Sequence, residues 1–305
     1  MNLSKMFSTI DTHVAGEPFR IVTQSPIRLN ERDVYANNER LQTSFASEKA
    51  LLINEPRGHR GMTGCIVTSS RHADFSLFFF SHDGATFKYP GLAAALTALL
   101  ETGNIHQNES GVYRVETVHG IYELNTSFIN GEVKEVQFET DEVGPIEKRP
   151  VCEAVTVAGQ RKYLVFPFTE EVPELTTTFI SEVTRWGRTT VEEWHAAKEE
   201  FTGLILADFA AAQQGLARSV TFESDGSITR SAGVDSTIAL FAVLRKSYPE
   251  MGWLENRSVF DEPIIAETLP EDEKRYSVLL RAIVTGTHEF LFDETDPLRD
   301  GFILT

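Results

Sequence analysis

Hydrophobic and polar positions alternate over Phe19 to Thr23, Gly64 to Ser69, Phe75 to Phe80, Val112 to Thr117, Tyr122 to Leu124 and Glu132 to Thr140. Most of these runs are bounded by Gly, Asn or Asp, and each predicts a strand. Between Phe87 and Asn104 the spacing becomes helical: Leu92, Ala95, Leu96, Leu99 and Leu100 share a face, Pro90 stands near the start and Gly103 just past the end. The opposite face carries Ala93, Ala94 and Ala98, so little polar interrupts the surface before Glu101. A helix apolar all round has to be enclosed by other elements, and the strands are predicted to wrap it.

The second half repeats this plan. Strands are predicted around Ala154 to Phe168, a helical insertion over Pro173 to Phe201, a turn-separated strand pair over Ser219 to Thr229, and a second apolar helix over Asp235 to Tyr248. Two strand-rich halves, each holding one buried helix, predict a duplicated α/β (α+β) architecture: a first domain of residues 1–149, completed by a C-terminal strand from about 288 to 305, and a second of residues 150–287 with the insertion at 173–201. Within the insertion Gly187 reads as a helix end. Thr189 with Glu192, or Thr190 with Glu193, reads as the capping box of the next helix. Lys198, Glu199 and Glu200 read as a solvated face.

Composition narrows the classes of function. The 305 residues carry 28 Lys and Arg against 45 Asp and Glu, a formal charge of −17, which repels nucleic acid and anionic lipid. Two cysteines, Cys65 and Cys152, cannot build a disulfide framework and fit a reducing compartment, so a cytoplasmic home is expected. Lys5, Asp11 and His13 break up the start before any signal-peptide core, and no apolar run approaches the roughly 20 residues of a membrane helix.

Common catalytic signatures are missing: there is no G-x-x-x-x-G-K-[ST], no strand-linked G-x-G-x-x-G, no H-E-x-x-H, no C-x-x-C and no G-x-S-x-G. Chemistry therefore concentrates in two polar turns between strands, Asp11 to Arg20 and Glu55 to Met62. Here the sequence resembles a known family. Ile10 to Val22 resembles the opening I-D-[ST]-H-x-x-G-E-P-x-R-[IV]-V of the proline racemase family, which includes hydroxyproline epimerases and trans-3-hydroxyproline dehydratases. Glu55 to Ile66 resembles its E-P-R-G-H-x-x-M-x-G-x-[IL], and Thr285 to Phe302 its closing G-x-x-x-[FW]-x-x-D-x-x-D-P-[FL]-x-x-G-F. These landmarks run in order along essentially the whole chain.

The resemblance implies a diaminopimelate-epimerase-like fold, two similar domains each with a curved sheet around a central helix, with the site between them. It also implies a small amino or imino acid ligand, no pyridoxal phosphate or other cofactor, no metal, and suggests a homodimer. In active racemases each central helix begins with a cysteine. A helix N-terminus holds the substrate carboxylate and lowers the thiol pKa, and two thiols on opposite faces remove and return the α-proton.

This chain departs from that pattern. Alignment puts Pro90 at the first thiol position, Leu92 where the family has histidine, Gly233 at the second thiol position, and Thr229 in place of an aspartate. The two-thiol mechanism is thereby excluded, and Cys65 and Cys152 are read as buried and inert. A carboxylate is left the backbone N–H groups of Gly91, Leu92, Val234 and Asp235, although the charge of Asp235 is expected to repel it. Asp235 and Ser236, opening the second helix, are the candidate acid/base groups. Tyr89 and His59 join Gly91, Leu92 and Val234 as candidate binding residues. Lys88, Arg57, His13, Glu17 and the pair His82-Asp83 are weaker candidates, each with a solvent-exposed or structural reading beside it. The sequence reading is a non-cysteine isomerase or lyase of the hydroxyproline class, or a non-catalytic relative that binds a small ligand.

Overall fold

The computed structural model describes residues 3–82 and 87–303. In chain order the elements are β1 (Leu3–Val14), β2 (Glu17–Gln24), α1 (Val34–Ser44), α2 (Ala46–Ile53), β3 (Thr63–Thr68), β4 (Phe75–Phe80), α3 (Tyr89–Glu101), β5 (Val112–Thr117), β6 (Gly120–Ile129) and β7 (Glu132–Glu139). They continue with β8 (Val143–Lys148), β9 (Glu153–Val157), β10 (Arg161–Pro167), α4 (Ile180–Ala196), β11 (Gly203–Asp208), β12 (Leu216–Glu223) and α5 (Val234–Ser247). The chain closes with β13 (Trp253–Arg257), β14 (Pro263–Leu269), β15 (Asp272–Leu280) and β16 (Ala282–Asp293). It divides into two compact units, Met1–Val136 with Arg281–Thr305, and Gln137–Leu280.

The duplication is visible in the pairing. The first unit has the strand order β16-β1-β2-β3-β4-β5-β6-β7, the second β8-β9-β10-β11-β12-β13-β14-β15. Along the first, successive pairs are antiparallel, antiparallel, parallel, antiparallel, parallel and antiparallel. The second repeats that series from β8 to β14. Each parallel step requires a crossover, and helices fill all four: α1 with α2 and then α3 in the first unit, α4 and then α5 in the second. The two central helices are the elements that the hydrophobic pattern predicted. Every residue of α3 from Tyr89 to Leu100 is buried, against β1, β2, β3 and β16. In the second unit α5 buries Ile238, Leu240, Phe241 and Leu244 and ends on Arg245 and Lys246, cations suited to a helix C-terminus. Among the described residues no helix is long and apolar enough to cross a membrane.

Several local expectations are corrected. Asp11 to Arg20 is not a loop but the ends of two strands, joined by a two-residue turn at Ala15 and Gly16, whose φ values of 48° and 87° suit a tight hairpin. The helices α1 and α2 escaped the periodicity analysis because α1 is polar on almost every side and buries only Leu41. Gly187 does not end a helix. The α4 helix runs straight through it, because a Cβ there would stand 2.1 Å from the ring of Phe222 and glycine alone admits the ring. Thr190 does not cap either; its hydroxyl donates to the Trp186 carbonyl one turn back, at 2.8 Å. Of the predicted strand pair at Ser219 to Thr229, the second member is reduced to a single bridge, Phe222 to Ile228. Glu199 is not simply solvated: it is 26% exposed and pairs with Lys162 and with Arg149, the latter at 3.0 Å.

Candidate functional site

In the first unit, Lys88 is the N-cap residue of α3 in an extended conformation without a capping side chain, and Pro90 in the first turn has no N–H to offer. The Gly91 N–H donates to the Lys88 carbonyl at 2.9 Å. A Cβ on Gly91 would lie 2.4 Å from the Phe79 ring and 3.3 Å from the Phe19 ring, so aromatic carbon covers this face of the helix start. Tyr89 is 1% exposed and meets Phe87 and Tyr122 edge-on at 4.9 and 5.8 Å; Leu92 is wholly buried. Tyr89 and Leu92, candidate binding residues from sequence, the second through its backbone N–H, both bury their side chains in the core. Lys88 is not solvated either, since its ammonium pairs with Glu17 at 2.5 Å. This helix start presents aromatic surface and a closed ion pair.

The start of α5 in the second unit is polar. Gly233, with φ 74°, is the N-cap; its N–H donates to Ser231 Oγ at 3.1 Å, and its carbonyl accepts from the Thr237 N–H at 2.9 Å and hydroxyl at 2.7 Å. That positive φ is one glycine adopts without strain. Asp235, in the first turn, accepts a forked pair of hydrogen bonds from Arg161, Nε to Oδ2 at 2.7 Å and Nη2 to Oδ1 at 3.1 Å, and a third from Tyr163 Oη at 3.0 Å. Arg161 and Tyr163 sit two apart on β10 and therefore share a face. Both ions are enclosed, with side chains 11% and 15% exposed. Burial, followed by the charge of Asp235, pushes the Tyr163 hydroxyl well above its ordinary pKa.

Two sequence expectations change here. Arg161 neutralises Asp235, so the expected repulsion of a carboxylate ligand is lifted; the sequence analysis missed Arg161 and Tyr163 because they lie 74 and 72 residues away in the chain. Three donors occupy the carboxylate oxygens of Asp235. Ser236 accepts from the Thr221 hydroxyl at 2.8 Å and is 2% exposed, while Val234 is buried. A Cβ at Gly233 would stand 3.2 Å from Ser236 Oγ, which makes this hydroxyl the polar group beside the vacated side-chain position. Thr229, in place of the aspartate, donates to the Ser231 carbonyl at 2.9 Å.

The other candidates have structural partners. Arg20 is 3% exposed and forks onto its cross-strand neighbour Asp11 at 2.9 and 2.7 Å, with further bonds to the carbonyls of Leu52 and Arg57. Arg57 donates to the carbonyls of Leu51, Leu298 and Arg299, and Glu55 bridges Phe302, so the motif around residues 55–59 clasps the C-terminal segment. His59 Nδ1 donates to the Arg60 carbonyl at 2.9 Å, and His13 accepts from the Gly16 N–H at 3.4 Å. His82 lies in a turn two residues past the end of β4; Asp83 lies outside the described residues. Both cysteines are buried, each among the apolar residues of its own unit, and burial pushes both thiols up, Cys152 to about 11. Among the described residues no three His, Cys, Asp or Glu side chains are placed to hold a metal ion.

Duplicated units of mixed sheet around a buried helix, with glycine and proline turns at the helix starts, define an α/β fold of the diaminopimelate-epimerase type. The comparisons agree. A crystal structure of a hydroxyproline epimerase from Agrobacterium vitis with bound trans-4-hydroxy-L-proline superposes with a TM-score of 0.81, at 18% identity over 100% of this chain and 96% of that one. The family model described as proline racemase matches residues 9–143. A trans-3-hydroxy-L-proline dehydratase of Bacillus cereus is 28% identical over the full length of both chains. A proline racemase of Acetoanaerobium sticklandii is 32% identical over 140 residues, 45% of this chain and 42% of that one. The chain is similar to the proline racemase family, by the family model over residues 9–143 and by the dehydratase over its full length.

Proposed function

We propose that this protein is a cofactor-independent isomerase or lyase of a small amino or imino acid of the hydroxyproline class, working without a cysteine pair. The observation that carries the reading is the contrast between the two helix starts. Stereoinversion needs an acid/base group on each face of the α-carbon. The start of α3 offers a proline, a closed Lys88–Glu17 pair and aromatic carbon, whereas the start of α5 offers Asp235, Ser236 and backbone N–H groups beside Arg161. Proton chemistry confined to one face suits an elimination. There a single base takes the α-proton, the C–H electron pair forms the new double bond, and the base returns that proton to the departing β-hydroxyl, which leaves as water. Similarity to the dehydratase over its entire length, against less than half for the racemase, supports the same choice. The N–H groups of Val234 and Asp235, with Arg161 cancelling the aspartate, suit the substrate carboxylate.

The test is incubation in deuterated water followed by NMR. L-Proline and trans-4-hydroxy-L-proline are expected to show no α-proton exchange above buffer, and trans-3-hydroxy-L-proline is expected to be consumed. Exchange with either of the first two overturns the reading. A second reading, a non-catalytic relative that binds a small ligand, is favoured by one observation, the occupation of both Asp235 oxygens by Arg161 and Tyr163. A thermal shift with a hydroxyproline but no turnover of any of the three would select it.

A further inference from the structure

The first unit holds a cavity of about 770 Å3 at the ends of β2 and β3 and the start of β4. Ser76, one of its walls, begins β4, whereas the chain leaves that strand at Phe80 on its way to α3, so the cavity lies at the end of the strand away from the helix start. Three arginines line it, Arg28, Arg32 and Arg71. Arg32 pairs with Asp33 at 3.0 Å, and the lining Glu31 pairs with Arg40 at 2.5 Å. The remaining guanidinium groups, Arg28 and Arg71, make no hydrogen bond or ion pair among the described residues.

The same lining includes the carboxylate of Glu116, which, unlike those of Glu31 and Asp33, has no arginine paired with it among the described residues. Glu116 accepts the hydroxyls of Ser70 at 2.6 Å and Ser76 at 2.7 Å, both on Oε2, and among the described residues no protein donor reaches Oε1. Desolvation raises its pKa, but the two hydroxyls, with His72, outweigh that and hold it below the ordinary value. Ser70 Oγ also accepts the N–H groups of His72 and Ala73 at 3.0 and 3.1 Å, which fixes the turn that presents Arg71. Apart from His72, the uncompensated wall charges are two cations and one anion, an excess of positive charge in a chain whose net charge is −17.

We propose that this cavity is a second ligand site, for an acidic amino acid. One ammonium group would meet Glu116 Oε1, and two carboxylates would meet Arg28 and Arg71, which matches the wall charge for charge. The cavity volume lies in the range of small-molecule sites, with a few polar points setting orientation.

Calorimetric titration of the full chain with L-glutamate tests the assignment. Binding is expected, weakened at least tenfold by R71A and by E116Q, and weaker for glutarate, which lacks the ammonium group. Saturating trans-3-hydroxy-L-proline is expected not to displace L-glutamate, which keeps the result independent of the chemistry proposed above. Four results would each overturn the proposal: no heat with the wild type, unchanged affinity in either variant, equal affinity for glutarate and L-glutamate, or displacement by the hydroxyproline. Arg71 is exposed, and the side-chain amide introduced by E116Q retains an acceptor oxygen for both serines, so circular dichroism of the variants should match the wild type.

Discussion

Asp235 is the residue on which the proposed chemistry turns, and its three donors give it a measurable weight in stability. Asp235→Asn would remove the carboxylate of an enclosed ion pair, and removing one partner of such a pair costs about 3 kcal/mol. Tyr163→Phe removes one neutral donor and should cost about 1 kcal/mol. Urea unfolding of the two variants checks the order; equal losses would mean that the ion pair contributes no more than the hydroxyl bond. At this scale the sequence pattern pointed to Asp235 and Ser236 by their place at a helix start. It was silent on Arg161, because a strand residue carries no local mark of the carboxylate it will meet. The same holds for Arg20: its motif was legible, but its four acceptors on Asp11, Leu52 and Arg57 were not.

Among the elements, α4 shows how packing overrides a local signal. The run Gly-Arg-Thr-Thr-x-Glu-Glu reads as one helix ending and another beginning, yet the Phe222 ring occupies the space above Gly187 and the helix continues. Gly187→Ala should gain helix propensity of about 1 kcal/mol but force a ring or backbone shift that costs more, for a net loss of about 1 to 2 kcal/mol. Chemical denaturation reads the sign; a stabilised variant would show that the ring moves freely. The central helices were legible for the opposite reason. Their enclosure required apolar residues on every face, and a run such as Leu92 to Leu100 has few other uses. The α1 helix, held mainly by one buried leucine and the Asp33 cap, left too little hydrophobic signal to be found.

For the molecule as a whole, burial of ionisable groups predicts an alkaline limit. Cys152 has an ordinary pKa of 9.0 and is raised to about 11, with Cys65 raised further. Between those pH values the unfolded chain loses protons that the folded chain retains, so this contribution is complete below pH 9 and is lost as pH rises through 11. The thermal midpoint should fall across that window, and Cys152→Ala should flatten the slope; an unchanged slope would mean that this thiol is not protected. The sequence alone determined the duplicated alternation, the two enclosed helices, the lack of thiols at their starts and the family motifs, because each is a matter of residue type and spacing. Only the tertiary structure decided that Asp235 is neutralised, that aromatic rings close the start of α3, that the residue 55–59 motif clasps the C-terminus and that Arg28, Arg71 and Glu116 share a cavity. Those facts depend on which distant side chains a strand register brings within hydrogen-bonding reach, and no local pattern encodes that distance.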